Sequence, residues 1–213
     1  MRINVEEKLT AILVADVADY EGLIAHNRGA AEAALQLCYH EVIDAAIAVY
    51  GGRIFELEPD RMRAEFTSPL AAVCCAVEIQ GALARRMAGV PPPVRIRLRI
   101  GIHYGEAVVD RGQITGEALT IAGRVHGVTE PGEVCVSRTV VEAVKGRVEH
   151  EFSDLVALGR RVPTGGLAFR LEAVPDLSGH VPAWFSDAGR LALTAALAAA
   201  AIWLALTEGG PGP

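Results

Sequence analysis

The order of short apolar runs and amphipathic stretches constrains the fold of this chain more than any other feature of its sequence. Apolar runs of strand length alternate with longer stretches in which apolar residues recur at helical spacing. The predicted elements of the first half are, in order, a strand at 8–17, a helix at 28–50, strands at 53–57 and 62–66, a helix at 71–87, and a strand at 95–102 that continues to 110 past a bend at Gly105. This βαββαβ order predicts one α/β (α+β) domain.

The pattern of elements continues beyond this core to about residue 174. A helix at 117–128, a strand at 134–137 and a short helix from Thr139 are followed by short strands. With 213 residues, 51% of them hydrophobic, the chain is long enough to bury one sizeable core. We therefore expect one domain at 1–174 and a polar linker at 175–190.

Residues 191–207 carry no charged side chain, although 22% of the whole chain is charged. A helix of this length spans about 25 Å, close to the thickness of the hydrocarbon core of a bilayer. Arg190 precedes it, and the tail at 208–213 holds no Lys or Arg, so the positive-inside rule places the domain in the cytoplasm. The sequence predicts a single-pass transmembrane helix in the inner membrane. The alternative is an Ala-rich helix packed in a dimer interface.

Charge and aromatic content argue against a nucleic-acid partner. The formal net charge is −6, and only 5% of the residues are aromatic. RNA-recognition sheets share the βαββαβ order, but they need exposed aromatic side chains for base stacking and a basic surface. The six histidines form no HExxH motif, and a GxxxxGK[ST] phosphate loop is absent, so zinc hydrolases and P-loop enzymes receive no support.

Two acidic residues are placed to meet at one edge of the predicted sheet. Asp16 ends the first strand, and Asp60 lies in the turn of the hairpin expected beside that strand. Hard divalent cations such as Mg²⁺ or Mn²⁺ prefer oxygen ligands and bridge protein carboxylates to substrate phosphates. The pair therefore indicates a metal site. Each residue also has a simpler interpretation, Asp16 as a cap of the next turn and Pro-Asp as an ordinary turn dipeptide.

A series of short motifs runs through the chain in order. They are Leu9-Thr-Ala-Ile-Leu-Val-Ala-Asp16, Gly51-Gly-Arg-Ile54, Asp60 with Glu65-Phe66, Ala76-Val-Glu-Ile-Gln80, Arg97-Leu-Arg-Ile-Gly-Ile-His103, Gly105-Glu-Ala-Val-Val109, Gly116 with Arg124, and Pro131-Gly-Glu-Val-Cys-Val-Ser137. Together they resemble the class III adenylate/guanylate cyclase catalytic domain over about residues 8–174. The resemblance implies a ferredoxin-like βαββαβ core and a head-to-tail homodimer with active sites between the protomers.

The resemblance also implies the catalytic machinery. Asp16 and Asp60, with the carbonyl of Val17, would hold two Mg²⁺ or Mn²⁺ ions. One ion would lower the pKa of the ribose 3′-hydroxyl, and the other would steady the pyrophosphate leaving group. Arg124, from the opposite protomer, matches the arginine that stabilises charge developing on the α-phosphate. Thr120, on the same helix face, stands where the family usually has a ribose-orienting asparagine.

The resemblance further implies ATP or GTP as substrate, and four residues bear on its binding. Glu56 stands where adenylate cyclases usually have a base-reading lysine and guanylate cyclases a glutamate, and Gln113 replaces the aspartate that typically partners the lysine. A carboxylate can accept from both N1 and N2 of guanine, but meets one donor group on the Watson–Crick edge of adenine. Arg160 or Arg161 lies where the family often has a phosphate-contacting lysine.

Departures from the family pattern support a second hypothesis. Asp60 stands in Glu58-Pro59-Asp60-Arg61, where the family usually has a Gly-Asp-Gly turn. Proline fixes φ at about −65°, and Arg61 is expected to pair with Asp60 and compete with metal. The alternative to an active enzyme is a catalytically silent cyclase-like module for regulation or dimerisation. A further option is one half of a hetero-dimeric cyclase, whose partner supplies the missing groups.

Overall fold

An eight-stranded sheet forms the centre of the fold in this computed structural model, which describes residues 5–148, 150–156 and 168–171. Its strands are β1 (Val5–Val17), β2 (Arg53–Leu57), β3 (Arg61–Phe66), β4 (Leu98–Asp110), β5 (Gln113–Thr115), β6 (Val134–Ser137), β7 (Phe152–Asp154) and β8 (Ala168–Leu171). They lie in the order β2-β3-β1-β4-β6-β8-β7, and β5 pairs with β4. Neighbours are antiparallel except β4 and β6, which are parallel.

Helices connect these strands and cover both faces of the sheet. Those of the described residues are α1 (Tyr20–His26), α2 (Arg28–Cys38), α3 (Ala45–Val49), α4 (Pro69–Arg86), α5 (Glu117–His126) and α6 (Arg138–Val144), with a π-helical segment at Tyr39–Asp44 and a 3₁₀ turn at Pro92–Val94. At the start of α4, the Ser68 hydroxyl accepts a hydrogen bond from the Ala71 N–H at 3.4 Å. This cap begins α4 at Pro69, two residues before the predicted start at 71.

The predicted βαββαβ core is confirmed. Strands β2, β3, β1 and β4 lie side by side and antiparallel, which is the ferredoxin-like arrangement. The apolar run of β1 occupies the centre because it pairs with β3 on one side and with β4, along its whole length, on the other. A central strand is buried on both faces, and this explains its continuous apolar sequence.

The structure differs from the sequence prediction in several details. The predicted helix at 28–50 is divided by the π-helical segment between α2 and α3. Strand β4 begins at Leu98, three residues after the predicted start, and a 3₁₀ turn at Pro92–Val94 precedes it. Gly105 does not interrupt the strand. Helix α1 and strand β5 were not predicted.

The two faces of β1 belong to different packing layers. Ala11, Leu13 and Ala15 join the main core beneath α2 to α4, whereas Ile12 and Val14 pack with residues of α5 on the opposite face. Side chains alternate with a period of two along a strand. Asp16 therefore continues the row that faces α5.

Glycine is required where β4 meets α5. A Cβ built on Gly101 would lie 2.5 Å from the Cα of His126, a backbone atom that cannot rotate away. We expect Gly101→Ala to lower the free energy of unfolding by about 2 kcal/mol, because the helix must shift. Urea unfolding monitored by circular dichroism measures it.

The matched control is Gly123→Ala, in the interior of α5. A Cβ there meets none of the described residues within 4 Å, and alanine favours a helix by about 1 kcal/mol over glycine. The control is therefore expected to be neutral or stabilising. Equal losses in both variants would contradict the close approach at Gly101.

Several predicted features lie outside the described residues. These are the linker at 175–190, the membrane helix at 191–207 and the tail at 208–213. Within the residues that the structure describes, every helix is too short or too polar to cross a bilayer. The transmembrane helix and the cytoplasmic placement of the domain stay predictions.

Candidate functional site

The end of β1 and the β2–β3 turn meet at one cavity. Asp16 is paired with Arg61 in the β1–β3 register, and the Val17 N–H donates to the Asp60 carbonyl at 2.7 Å. Both aspartates line a cavity of about 630 Å³. The structure thus brings together the two carboxylates that the sequence places at this edge.

The carboxylate of Asp16 is held by a guanidinium. Its side chain is only 5% exposed, and Arg99 Nε donates to Oδ1 at 2.8 Å while Nη2 donates to Oδ2 at 2.5 Å. His126 Nε2 lies 3.1 Å from Oδ1, without the alignment of a hydrogen bond. Burial by itself raises the pKa of Asp16, but His126 and Arg99 together outweigh it and lower the pKa to about 2. The group is therefore an anion.

We expect Asp16 to contribute to acid sensitivity. Its folded-state pKa of about 2 lies below the ordinary value of 3.8 for an aspartate, so its stabilisation is present above pH 3.8 and is lost as pH falls toward 2. The contribution is about 2 kcal/mol. Urea unfolding at several pH values between about 5 and 2.5 measures it, and Asp16→Asn is expected to flatten the profile over this window. Parallel profiles for the two proteins would refute the assignment.

Asp60 has a different environment. It is half-buried, and its carboxylate makes no ion pair or hydrogen bond with the described part of the chain. The expected pairing with Arg61 is not formed among these residues. The guanidinium that contacts an aspartate of this site is instead that of Arg99, and its partner is Asp16. In the sequence, charged and apolar residues alternate at 95–102, which indicates that Arg99 lies on a polar strand face but does not identify its partner.

The oxygen atoms at the end of β1 and the β2–β3 turn suit a hard cation as ligands. Carboxylates and backbone carbonyls are the oxygen ligands that Mg²⁺ and Mn²⁺ prefer. Asp60 is unpartnered among the described residues, and Asp16 is anionic but engaged by Arg99. No group of three or more His, Cys, Asp or Glu side chains in the described ranges is close enough to hold a metal. The residues fit a divalent ion when Arg99 yields an oxygen of Asp16, and the role of the Val17 carbonyl stays a prediction.

The two residues predicted to read the base lie on β2 and β5. Glu56 is paired with Arg63 in the β2–β3 register, and its Oε2 accepts a short hydrogen bond from Arg63 Nη1. Gln113 is exposed at the start of β5. Arg53 Nη2 donates to the Gly112 carbonyl at 3.1 Å, which links β2 to the turn before Gln113. No described contact joins Glu56 to Gln113 directly.

Thr120 and Arg124 project from the outer side of α5. Both are exposed, whereas Ala118 and Ala122 of the same helix are buried. The Thr120 hydroxyl donates to the Gly116 carbonyl at 3.3 Å, and Arg124 has no partner within the described ranges. Among the described residues, nothing therefore engages the guanidinium.

The predicted phosphate contacts Arg160 and Arg161 lie outside the described residues. Two further residues of the site, Arg99 and His126, were not predicted. The alternation of charged and apolar residues before Gly101 was the available signal for Arg99, because it puts that side chain on the polar face of β4.

Known proteins resemble this chain in both sequence and fold. No family model matches it. It is 30% identical over 151 residues to the "Putative adenylate cyclase 3" of Rhizobium meliloti, a match that covers 71% of this chain and 26% of that protein. The chain thus spans about a quarter of the length of this curated relative.

Two solved structures match a larger share of this chain than the curated relative does. The adenylate/guanylate cyclase/hydrolase from Silicibacter pomeroyi is 38% identical, with a TM-score of 0.72 over 81% of this chain and 100% of that chain. The adenylyl cyclase CyaB from P. aeruginosa is 18% identical, with a TM-score of 0.64 over 80% of this chain and 97% of that chain, and it shares the fold. Because the Silicibacter chain is matched along its whole length at this identity, the protein described here belongs to the class III adenylate/guanylate cyclase family.

Proposed function

We propose that the protein is a nucleotidyl cyclase that converts ATP or GTP into the 3′,5′-cyclic nucleotide and pyrophosphate. It works as a homodimer with active sites between the protomers. The observation that carries this proposal is the meeting of Asp16 and Asp60 at one cavity, on a chain of this family. Arg124, exposed and unpartnered within the described ranges, supports the dimer.

The residues have distinct roles in the proposed reaction. Asp16, Asp60 and the carbonyl of Val17 would hold two Mg²⁺ or Mn²⁺ ions. When bound, such ions make the ribose 3′-hydroxyl more acidic for its attack on the α-phosphorus and neutralise the departing pyrophosphate. Arg124 of one protomer donates to the α-phosphate at the site of the other, where negative charge develops. The Thr120 hydroxyl orients the ribose.

The substrate is held at its two ends. Glu56 accepts hydrogen bonds from the base, with Gln113 beside it as donor or acceptor. Arg63 engages one carboxylate oxygen of Glu56 and fixes the side chain, which leaves the other oxygen for the base. Arg160 or Arg161 binds the triphosphate. Both ATP and GTP are consistent with this set.

A second candidate function is a catalytically silent cyclase-like module, or one half of a hetero-dimeric cyclase. The observation that favours it is the engagement of both Asp16 oxygens by Arg99. The proline before Asp60 adds to it, because the turn lacks the permissive glycines that are usual in the family.

The test is a direct assay of the full chain, purified in mild detergent because of the predicted helix at 191–207. ATP and GTP are each supplied with Mn²⁺ or Mg²⁺, and cyclic product is separated by chromatography and identified by mass. Product in at least one combination supports the cyclase. A folded chain without product in any combination supports the silent module, and recovery on adding a cyclase partner identifies the hetero-dimer.

We also propose that residues 191–207 anchor the domain to the cytoplasmic face of the inner membrane. The uncharged stretch after Arg190 supports this placement. Recovery of the full chain in the soluble fraction after cell lysis, without detergent, would contradict it.

A further inference from the structure

Arg99 and Asp16 face one another across β1 and β4, and their side chains differ in exposure. They are directly paired in the antiparallel register, and the guanidinium contacts both carboxylate oxygens. The Asp16 side chain is 5% exposed, whereas that of Arg99 is 36% exposed. The anion is therefore fixed in the protein, and the cation reaches it from the solvent side.

The Arg99 guanidinium has no other acceptor among the described residues. Its departure would break one ion pair and no further contact in the described ranges. Among the described residues, the His126 ring would then stay close to the Asp16 carboxylate, 3.1 Å from Oδ1. The pair can thus open by movement of one long side chain, without a change in the sheet.

A guanidinium and a divalent cation repel each other when both bind one carboxylate. Arg99 occupies both oxygens in a two-donor geometry, which is the strongest arrangement available to an arginine. A divalent ion on either oxygen would lie within a few ångströms of this positive charge and be repelled by it. Metal binding at Asp16 therefore requires the guanidinium to leave or to turn aside.

We propose that Arg99 is the resident counter-cation of Asp16 and competes directly with divalent metal for that carboxylate. The proposal rests on the proposed function in taking Asp16 as a metal ligand. In the metal-free chain Arg99 satisfies a buried anion that would otherwise be unpaired, a costly state. The same contact weakens metal binding, so metal concentration sets the fraction of chains whose site is open.

The test measures Mn²⁺ binding to the full chain without nucleotide, from the electron paramagnetic resonance signal of free Mn²⁺. In Arg99→Met the dissociation constant for Mn²⁺ is expected to fall about tenfold. A change of this size is within the range usual for coupled binding events. Arg97→Met is the matched control, because Arg97 is exposed, lies two residues away and makes no described contact with Asp16. It is expected to leave the affinity unchanged.

The variant Asp16→Asn tests whether Asp16 carries the carboxylate for which Arg99 and Mn²⁺ compete. The gain from Arg99→Met is expected to disappear when both substitutions are combined. An Arg99→Met affinity equal to or weaker than wild type overturns the proposal, and so does a gain that persists without the Asp16 carboxylate. Equal gains in the Arg97 and Arg99 variants overturn it too, since they would indicate a general effect of charge.

Circular dichroism and thermal unfolding check that Arg99→Met folds. If it does not, Arg99→Lys serves, because lysine keeps the charge but lacks the two-donor fork. Mn²⁺ binding tightened about two- to threefold supports the competition, and an unchanged affinity overturns it.

Product assays separate the two proposals. Tighter Mn²⁺ binding in a chain that makes no product contradicts only the cyclase, whereas an active chain with unchanged affinity contradicts only the competition.

Discussion

Replacing Asp60 with asparagine is expected to lower metal-dependent formation of cyclic nucleotide by about 100-fold or more. The carboxylate lies at the cavity shared with Asp16 and has no ion-pair partner within the described ranges, so its charge is available for a cation. Asparagine has nearly the same shape but no charge. Initial rates with Mn²⁺ and the preferred nucleotide measure the effect.

The stability of this variant separates chemistry from folding. Because the Asp60 carboxylate forms no described contact, Asp60→Asn is expected to unfold at the same temperature as wild type. Glu58→Gln, which removes the same charge in the same turn, is the control and is expected to keep its activity. Full activity in Asp60→Asn, or equal losses in both variants, would show that Asp60 is not a metal ligand.

Replacing Arg124 with methionine is expected to lower kcat by about 100-fold or more and to change KM little. An arginine that donates to charge formed only in the transition state contributes to the rate and not to substrate binding. The side chain is exposed on α5 without a described partner, so no loss of stability is expected. Steady-state kinetics over a range of nucleotide concentrations measure both constants. A large rise in KM at constant kcat would assign Arg124 to substrate binding.

Mixing the two inactive variants tests whether the sites are shared between protomers. About half of the dimers in an equimolar mixture pair one Asp60→Asn chain with one Arg124→Met chain, and each has one intact site. Activity is therefore expected to return to about a quarter of wild type. Each variant alone is the control. No recovery, despite demonstrated exchange of chains, would place Asp60 and Arg124 in the same protomer's site.

The core of the fold can be predicted from the sequence because its strands and helices are marked by local patterns of apolar residues. The apolar run of β1 and the Pro-Asp turn between β2 and β3 are enough to place Asp16 and Asp60 at one edge. The contact between Arg99 and Asp16 depends on the β1–β4 register, which is set by tertiary packing. The sequence therefore gives the strand face of Arg99 but not its partner.

Short and irregular elements escape prediction for other reasons. Helix α1 has seven residues, and Asp19 at its N-terminus has φ of 53° and makes no side-chain cap. Asp is a preferred N-cap residue, but a helix of seven residues is too short to show helical spacing of apolar residues clearly in the sequence. The π-helical segment at Tyr39–Asp44 continues the helical pattern on both sides, and its altered hydrogen bonding leaves no clear trace in the sequence.

The close approach of Gly101 to α5 has a consequence for coupling between the two sites of the proposed dimer. It fixes the end of this helix, with His126, beside the Asp16 of its own protomer, while Arg124 points outward to the neighbour in the proposed dimer. Two residues separated by half a helical turn cannot move independently. A ligand that displaces one end of α5 would alter the opposite centre as well, and sigmoidal dependence of rate on nucleotide concentration would be its kinetic sign.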